Sequence, residues 1–145
     1  MIYKVYKVII KIFLNALSIL VYYCSGFVPR SKNIIIFGCW EGKYFRGNSK
    51  YLYLYFNEQY SDIISIWLTK DKDLNAKLCL MDINSYYAYS VKGIYYSLKA
   101  RYFIVTHGIR DVNEIFSRNG ILINLEHTIY PIKSLELNPR SEDIL

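Results

Sequence analysis

The sequence predicts an α/β fold: a single Rossmann-like half-domain with a parallel sheet, preceded by an N-terminal amphipathic membrane helix. Short unbroken apolar runs recur along the chain, as in strands that are buried on both faces, and segments of helical spacing separate them. This alternation is typical of a parallel sheet covered by helices on both sides. The helix is predicted by a polar stripe of helical spacing within residues 1–28.

The polar stripe of residues 1–28 steps by three or four residues against an otherwise apolar background. Its members are Lys4, Lys7, Lys11, Asn15, Ser18, Tyr22 and Ser25. A basic stripe opposite a broad apolar face is typical of a helix that lies in the membrane interface, with its lysines towards anionic headgroups. A spanning helix, which needs about 20 apolar residues, and a helix buried in a larger assembly remain alternatives. Gly26, Pro29 and Arg30 then predict a linker at 29–32.

Composition restricts the partners of the chain. Its 145 residues fit one domain, 53% of them are hydrophobic, and the net charge is +6. The first acidic residue is Glu41, so much of the basic excess lies in the N-terminal segment, which favours an anionic membrane surface over nucleic acid. Cys24, Cys39 and Cys79 are far apart and lack the spacing of a metal site, which is typical of a protein in a reducing cytosol.

From residue 33 to 145 the elements alternate, and we interpret this range as one domain. The run "NIIIFG" ends at a glycine, Asn48 is a plausible N-cap, and polar residues follow each later apolar run. Strands are predicted at 33–38, 62–69, 101–108 and 121–125. Helices are predicted at 48–59, 71–80, 85–100 and 110–120.

Polar clusters follow the predicted strands, at 38–48, 69–71, 106–111 and 124–133. Ligand sites of parallel sheets gather at the carboxyl ends of the strands, so these clusters mark where a site would lie. His127, beside Glu126, could act as a base, or could be a loop histidine with a local hydrogen bond. His107, with Asp111 one turn later, could bind substrate or only shape its loop.

The stretch "GCWEGKYFRGNSK" brings glycines and basic residues to a predicted helix N-terminus, where phosphate can bind. It matches neither common phosphate-binding glycine motif. Asn48 and Lys50 are its candidate ligands. Lys133 is a further candidate for an anionic substrate, with a solvated surface lysine as the alternative.

The motifs together resemble a known family. In order, "GNSKYLY" at 47–53, "IWLTKD" at 66–71, "LKARYFIVTHGIRDVN" at 98–113 and "INLEHTIYPIK" at 123–133 are similar to the CDP-glycerol glycerophosphotransferase family. The resemblance covers about residues 30–138. These enzymes build teichoic-acid-type polyol-phosphate polymers of the cell envelope.

The resemblance implies an architecture and a reaction. It implies the N-terminal half of a two-domain GT-B enzyme on the cytoplasmic face of the cell membrane. Such an enzyme transfers glycerol or ribitol phosphate from a CDP-activated donor to an acceptor hydroxyl and releases CMP. The donor, CDP-glycerol or CDP-ribitol, would be bound mainly by the other half, and no cofactor or metal is implied. In the family motif Trp-His-Gly-x-Pro-x-Lys, the histidine is the proposed base. Residue by residue, His127, Pro131 and Lys133 match its His, Pro and Lys.

The same motif departs from the family pattern. Glu126 stands in place of the Trp, Thr128 replaces the Gly, and the loop is one residue longer. A β-branched Thr resists the backbone freedom of Gly, and an insertion displaces later groups by about 3 Å. We therefore expect a truncated chain that is inactive alone. Assembly with a separately encoded C-terminal half is the one route by which catalysis would survive. The alternative is a non-catalytic membrane-bound module that binds envelope-polymer intermediates or a partner transferase.

Overall fold

The computed structural model describes residues 2–125, with the side chains of residues 2, 4 and 5 left aside. Its centre is a parallel sheet of five strands: β1 (Ser31–Phe37), β2 (Ile64–Thr69), β3 (Ser85–Tyr87), β4 (Ala100–Val105) and β5 (Ile121–Asn124). Their order across the sheet is β3-β2-β1-β4-β5. The predicted parallel α/β fold is confirmed.

Four α-helices accompany the sheet within the described residues: α1 (Ile2–Ser25), α2 (Gly47–Gln59), α3 (Lys72–Leu80) and α4 (Val91–Lys99). Single 3-10 helical turns lie at Trp40–Gly42, Ile109–Asp111 and Glu114–Phe116. The Asp71 carboxylate caps α3 by accepting from the amides of Asp73 and Leu74, and the Ser90 hydroxyl caps α4 by accepting from the amide of Gly93. These caps fix where the two helices begin.

The two faces of the sheet bury separate apolar clusters. Ile36, Ile66 and Phe103 lie on the face that α4 covers, while Phe37 and Trp67 lie on the face that α2 and α3 cover. Adjacent residues alternate between the faces because successive side chains of a strand point to opposite sides. Burial of each such side chain contributes about 1.5–3 kcal/mol, so the centre of the sheet is a firm base for the loops at its edges.

Several predicted boundaries are wrong. The segment 85–100 is not one helix, because Ser85–Tyr87 pairs with Trp67–Thr69 as β3 before α4 begins. The segment 110–120 forms short 3-10 turns instead of a helix. Arg46, and not Asn48, occupies the N-cap of α2. The first strand starts at Ser31, so it takes in two residues of the predicted linker.

The strand β5 forms an edge of the described sheet instead of lying buried. Ile121, Leu122 and Ile123 are 41%, 45% and 39% exposed. Parallel pairing of Ile121–Asn124 with Tyr102–Val105 still brings its carboxyl end beside that of β4. The apolar run predicted a strand correctly but not its position in the sheet.

Arg30 fastens the end of the N-terminal segment to the domain. Its guanidinium donates hydrogen bonds of 2.6–2.9 Å to four backbone carbonyls, those of Ser97, Ala100, Phe116 and Arg118. Hydrogen bonds from a charged donor are about twice as strong as neutral ones. Partial burial lowers the pKa of the Arg30 guanidinium. The turn at Glu114–Phe116 is thereby held against the start of the sheet.

The last two turns of α1 pack alongside the domain. Arg118 lies over the ring of Tyr23, at 4.1 Å from its centroid, and Asn119 donates to the carbonyl of Gly26. Ser25 is buried and Ser18 is half-buried, whereas Lys7 and Lys11 are exposed. The polar stripe of α1 therefore faces the domain at its C-terminal end and solvent at its basic end.

Candidate functional site

The loop after β1 has an unusual backbone at the carboxyl edge of the sheet. Trp40, Glu41 and Gly42 all have positive φ, at 47°, 56° and 74°. A left-handed backbone destabilises each non-glycine residue by about 1–2 kcal/mol, so surrounding contacts must hold this loop in place. Strain of this kind is concentrated at functional sites.

Two neighbouring strand ends hold the strained loop. The hydroxyl of Thr69 and the amide of Lys70 both donate to the carbonyl of Gly42, over 2.6 and 2.8 Å. The carboxylate of Asp111 accepts from the amide of Glu41 over 2.7 Å. The loop after β1 is thus fixed to residues that follow β2 and β4.

Asp111 is the centre of this arrangement. Asp111 is 1% exposed, and its carboxylate also accepts from the amides of Thr106 and His107 and from the Thr106 hydroxyl, over 2.9–3.1 Å. Gly38 permits the close approach, since a Cβ there would lie 2.6 Å from the Asp111 carbonyl oxygen. The structure gives Asp111, a candidate substrate ligand in the sequence, contacts that position the surrounding loops.

His107 lies at the surface beside Trp40. Its Nδ1 is 2.9 Å from the Thr106 hydroxyl, and its ring centroid is 4.3 Å from that of Trp40. The Arg46 guanidinium stacks over Trp40 and Tyr44, at 4.5 and 4.3 Å from their ring centroids. A partly exposed stack of aromatic rings with the Arg46 guanidinium thus flanks the loop, and it joins His107 to the segment that leads into α2.

A small pocket of about 320 Å³ opens next to the loop. Its lining residues carry three cationic and two carboxylate side chains: Lys43, Lys70, Arg110, Glu41 and Glu114. Partial burial lowers the pKa of the Lys70 ammonium, and the carboxylates of Glu114 and Glu41 oppose that shift. The pocket has a small cationic excess, which suits a phosphate group.

Asn48 and Lys50 lie in the first turn of α2 and do not line the pocket of Lys70. Asn48 borders a separate groove of about 470 Å³ with Tyr51, Leu52, Tyr55 and Leu125. The Lys50 ammonium lies 5.4 Å from the ring centroid of Phe45. Leu125, the last residue that the structure describes, therefore lies on the same groove as Asn48.

The candidates His127 and Lys133 fall outside the described residues, so their predicted roles stay predictions. Lys70, Arg110 and Trp40 were missed as individual site residues. Each follows the end of a strand, which is the signal that could have singled them out. Within residues 2–125, no group of three or more His, Cys, Asp and Glu side chains is placed to hold a metal ion.

A family model for CDP-glycerol:poly(glycerophosphate) glycerophosphotransferase matches residues 20–143. The chain belongs to this family. A comparison with curated proteins found no match. The family model therefore agrees with the resemblance seen in the sequence motifs.

Solved structures of the wall teichoic acid polymerase TagF share the fold. One is 16% identical with a TM-score of 0.57, over 88% of this chain and 32% of that one. A histidine variant is 16% identical with a TM-score of 0.54, over 81% of this chain and 29% of that one. A variant soaked with CDPG is 18% identical with a TM-score of 0.53, over 69% and 24%. This chain thus spans less than a third of TagF, and the likeness shows that the two share an α/β fold.

Proposed function

We propose that this chain is the acceptor-side half of a glycerophosphotransferase of teichoic-acid-type polymer synthesis. The observation that carries the proposal is the family match, on a parallel sheet whose carboxyl edge holds a braced, cationic loop region. In the reaction, an acceptor hydroxyl attacks the phosphorus of the CDP-activated polyol phosphate. The bond to the CMP oxygen breaks, and CMP leaves.

His127 is proposed to take the proton of the attacking hydroxyl. Asn48, Lys50 and Lys133 would orient the acceptor's phosphates. We add Lys70 and Arg110 to these proposed phosphate ligands, because both line the cationic pocket at this edge of the sheet. His107 lies beside Trp40 above the same edge and is suited to contact the acceptor, while Asp111 keeps both loops in register.

The donor nucleotide is proposed to bind mainly to a second half, in a longer protein or in a separate chain. A nucleotide-activated donor needs its phosphates held and aligned with the nucleophile. The residues described here form one sheet with its helices, and they supply one side of such a cleft. We therefore propose that these 145 residues release little CMP unless the donor-binding half is supplied.

The chain is also proposed to sit on the cytoplasmic face of the membrane through α1. Residues Tyr6–Ser25 are long and apolar enough to cross a membrane by length and composition. The direction of the polar stripe favours an interfacial helix instead. Its basic end lies on the same side of α1 as the domain, so a helix lying in the interface would leave both in water and its apolar faces in lipid.

CMP release from CDP-glycerol tests the catalytic proposal. The chain is assayed on membranes carrying acceptor, with and without the donor-binding half of a family member, beside a His127→Ala variant. We expect release only with both halves, and a reduction of about 10²–10⁴-fold in the variant, as for loss of a general base. Equal release by the variant would exclude His127 as the base.

The departures at Glu126 and Thr128 favour a second candidate, a non-catalytic membrane module that binds polymer intermediates or a partner transferase. It predicts no CMP release in any combination, with acceptor binding retained. Restoring the family motif by Glu126→Trp and Thr128→Gly, with one loop residue deleted, separates the two candidates. Activity gained only by the restored chain would identify the native chain as the non-catalytic module.

A further inference from the structure

The pocket beside Lys70 contains two carboxylates that a site for phosphate alone would not need. Glu41 and Glu114 line it together with Lys43, Lys70 and Arg110. A carboxylate repels a phosphate, but it accepts hydrogen bonds from hydroxyl groups. We propose that the pocket recognises an internal phosphodiester of a polyol phosphate chain, and that Glu114 determines this specificity by binding a polyol hydroxyl. The inference rests on the proposed acceptor-side function.

Two of the three cations of the pocket are placed to bind the phosphate. The ammonium of Lys43 is already paired with the carboxylate of Glu41, over 2.9 Å. The ammonium of Lys70 donates to the carbonyl of Arg110 over 2.8 Å, which leaves two of its three N–H groups for a ligand. The guanidinium of Arg110 can bind phosphate oxygens through parallel N–H groups. A phosphodiester shares one negative charge between two oxygens, so each cation can take one of them.

The carboxylate of Glu114 is open to a hydroxyl. Glu114 is exposed, and within residues 2–125 no ion pair or hydrogen bond engages its carboxylate. The carboxylate acts on Lys70, because it opposes the fall in the Lys70 pKa that partial burial causes. A bare phosphate on Lys70 would therefore face a negative group. A polyol phosphate instead offers that group a hydrogen bond from a hydroxyl next to the phosphate.

The charge balance favours a phosphodiester over a phosphate monoester. Outside the pair of Glu41 with Lys43, two cations and one carboxylate leave a single positive charge in the pocket. A monoester carries about −1.5 to −2 charges at pH 7, whereas a diester carries one. Attraction to the pocket grows in proportion to the charge of the ligand, but the free energy lost on leaving water grows with its square. The excess charge of a monoester would also be repelled by Glu114.

The backbone around the pocket is fixed before a ligand arrives. The amide of Lys70 donates to the carbonyl of Gly42 over 2.8 Å. Asn113, directly before Glu114, is buried, and its side-chain amide donates to the carbonyl of Ala88 over 3.0 Å. A ligand therefore has to order side chains but not loops, which reduces the free energy lost on binding.

The test is competition for the full chain, in mild detergent, against a fluorescent oligomer of glycerol phosphate. Three competitors separate the features of the ligand: glycerol methyl phosphate is a diester with hydroxyls, propyl methyl phosphate is a diester without them, and glycerol 3-phosphate is a monoester. Glu114→Ala removes the carboxylate. Glu58→Ala is the matched control, because Glu58 is exposed in the last turn of α2, does not line the pocket, and changes the net charge equally.

We expect glycerol methyl phosphate to bind the native chain and Glu58→Ala about fivefold more tightly than either propyl methyl phosphate or glycerol 3-phosphate. In Glu114→Ala both preferences should fall below about twofold. Equal binding of the two diesters by the native chain, or preferences that Glu114→Ala leaves unchanged, would overturn the role of Glu114 while the acceptor-side function stands. Failure of the folded native chain to bind the oligomer would overturn that function as well.

Discussion

Replacement of Asp111 by Asn should loosen the whole carboxyl edge of the sheet. The buried carboxylate accepts one hydrogen bond through Oδ1 and three through Oδ2. An amide has a single acceptor oxygen. If that oxygen takes the position of Oδ2, the NH₂ group faces the amide of Glu41, and a donor is left without its acceptor.

The magnitude follows from these contacts. A hydrogen bond to a charged acceptor contributes about 1.5–3 kcal/mol, and the bonds that remain weaken when the acceptor becomes neutral. Relief of the left-handed strain at Trp40 and Glu41 offsets part of the loss. We expect Asp111→Asn to lower the free energy of unfolding by about 3 kcal/mol.

The assay is urea unfolding in mild detergent, followed by tryptophan fluorescence. With a slope of about 1–3 kcal/mol per molar urea, the midpoint should fall by about 1–3 M. The matched control is Asp73→Asn, an exposed carboxylate in the first turn of α3, which should lose only about 0.3–1 kcal/mol. A midpoint shift for Asp111→Asn no larger than that of the control would refute the positioning role.

Two further outcomes test other parts of the account. Reversing Lys7 and Lys11 to Glu should weaken binding to anionic vesicles by about 30-fold or more, because each lysine lost removes about 1 kcal/mol of binding free energy. The same reversal at Lys92 and Lys99 on α4 is the control and should have little effect. Equal losses of binding in the two variants would contradict an interfacial α1. Burial raises the pKa of the Tyr53 phenol, although the Asn84 amide hydrogen bond opposes the shift. Above about pH 10 the phenol ionises first in the unfolded state, which then binds fewer protons than the folded state. The stability advantage of the native chain over Tyr53→Phe should therefore be constant below that pH and shrink above it. A stability advantage that grows with pH would contradict this burial.

The sheet was predictable because its central strands are short apolar runs with local punctuation. The segments of β1, β2 and β4 each end at a glycine or at polar residues, and Asp71 is the N-cap that marks the start of α3. The helix α1 also follows from its stripe. These signals are local, and tertiary contacts reinforce them.

The errors arise where tertiary contacts override local pattern. Ser85–Tyr87 becomes a strand because it pairs with the end of β2, and no periodicity within the segment encodes that partner. The segment after β4 stays out of a regular helix because Asp111 turns back to bind Thr106, and Arg30 takes the carbonyls of Phe116 and Arg118. The residues that pair with β3 and the Arg30 side chain are distant in sequence from the segments they fix, and the contact of Asp111 with Thr106 forms only when the chain turns back after β4.

The candidate site was predictable as a region and less so as residues. The rule that ligands gather at the carboxyl ends of parallel strands located the loops after β1, β2 and β4. It could not separate Asp111, which is saturated with internal hydrogen bonds, from Lys70 and Arg110, which line an open pocket. Burial and hydrogen-bond partners decide that difference, and both depend on residues from other strands.

The most direct test of the central claim is the equilibrium binding of acceptor against donor by the unmodified chain in detergent. Titrations would use a short glycerol phosphate oligomer and, separately, CDP-glycerol, with Lys70→Gln as the variant that alters the pocket. An acceptor-side half should bind the oligomer, lose affinity in the variant, and bind CDP-glycerol much more weakly. Preferential binding of CDP-glycerol, with the oligomer unbound, would contradict the account.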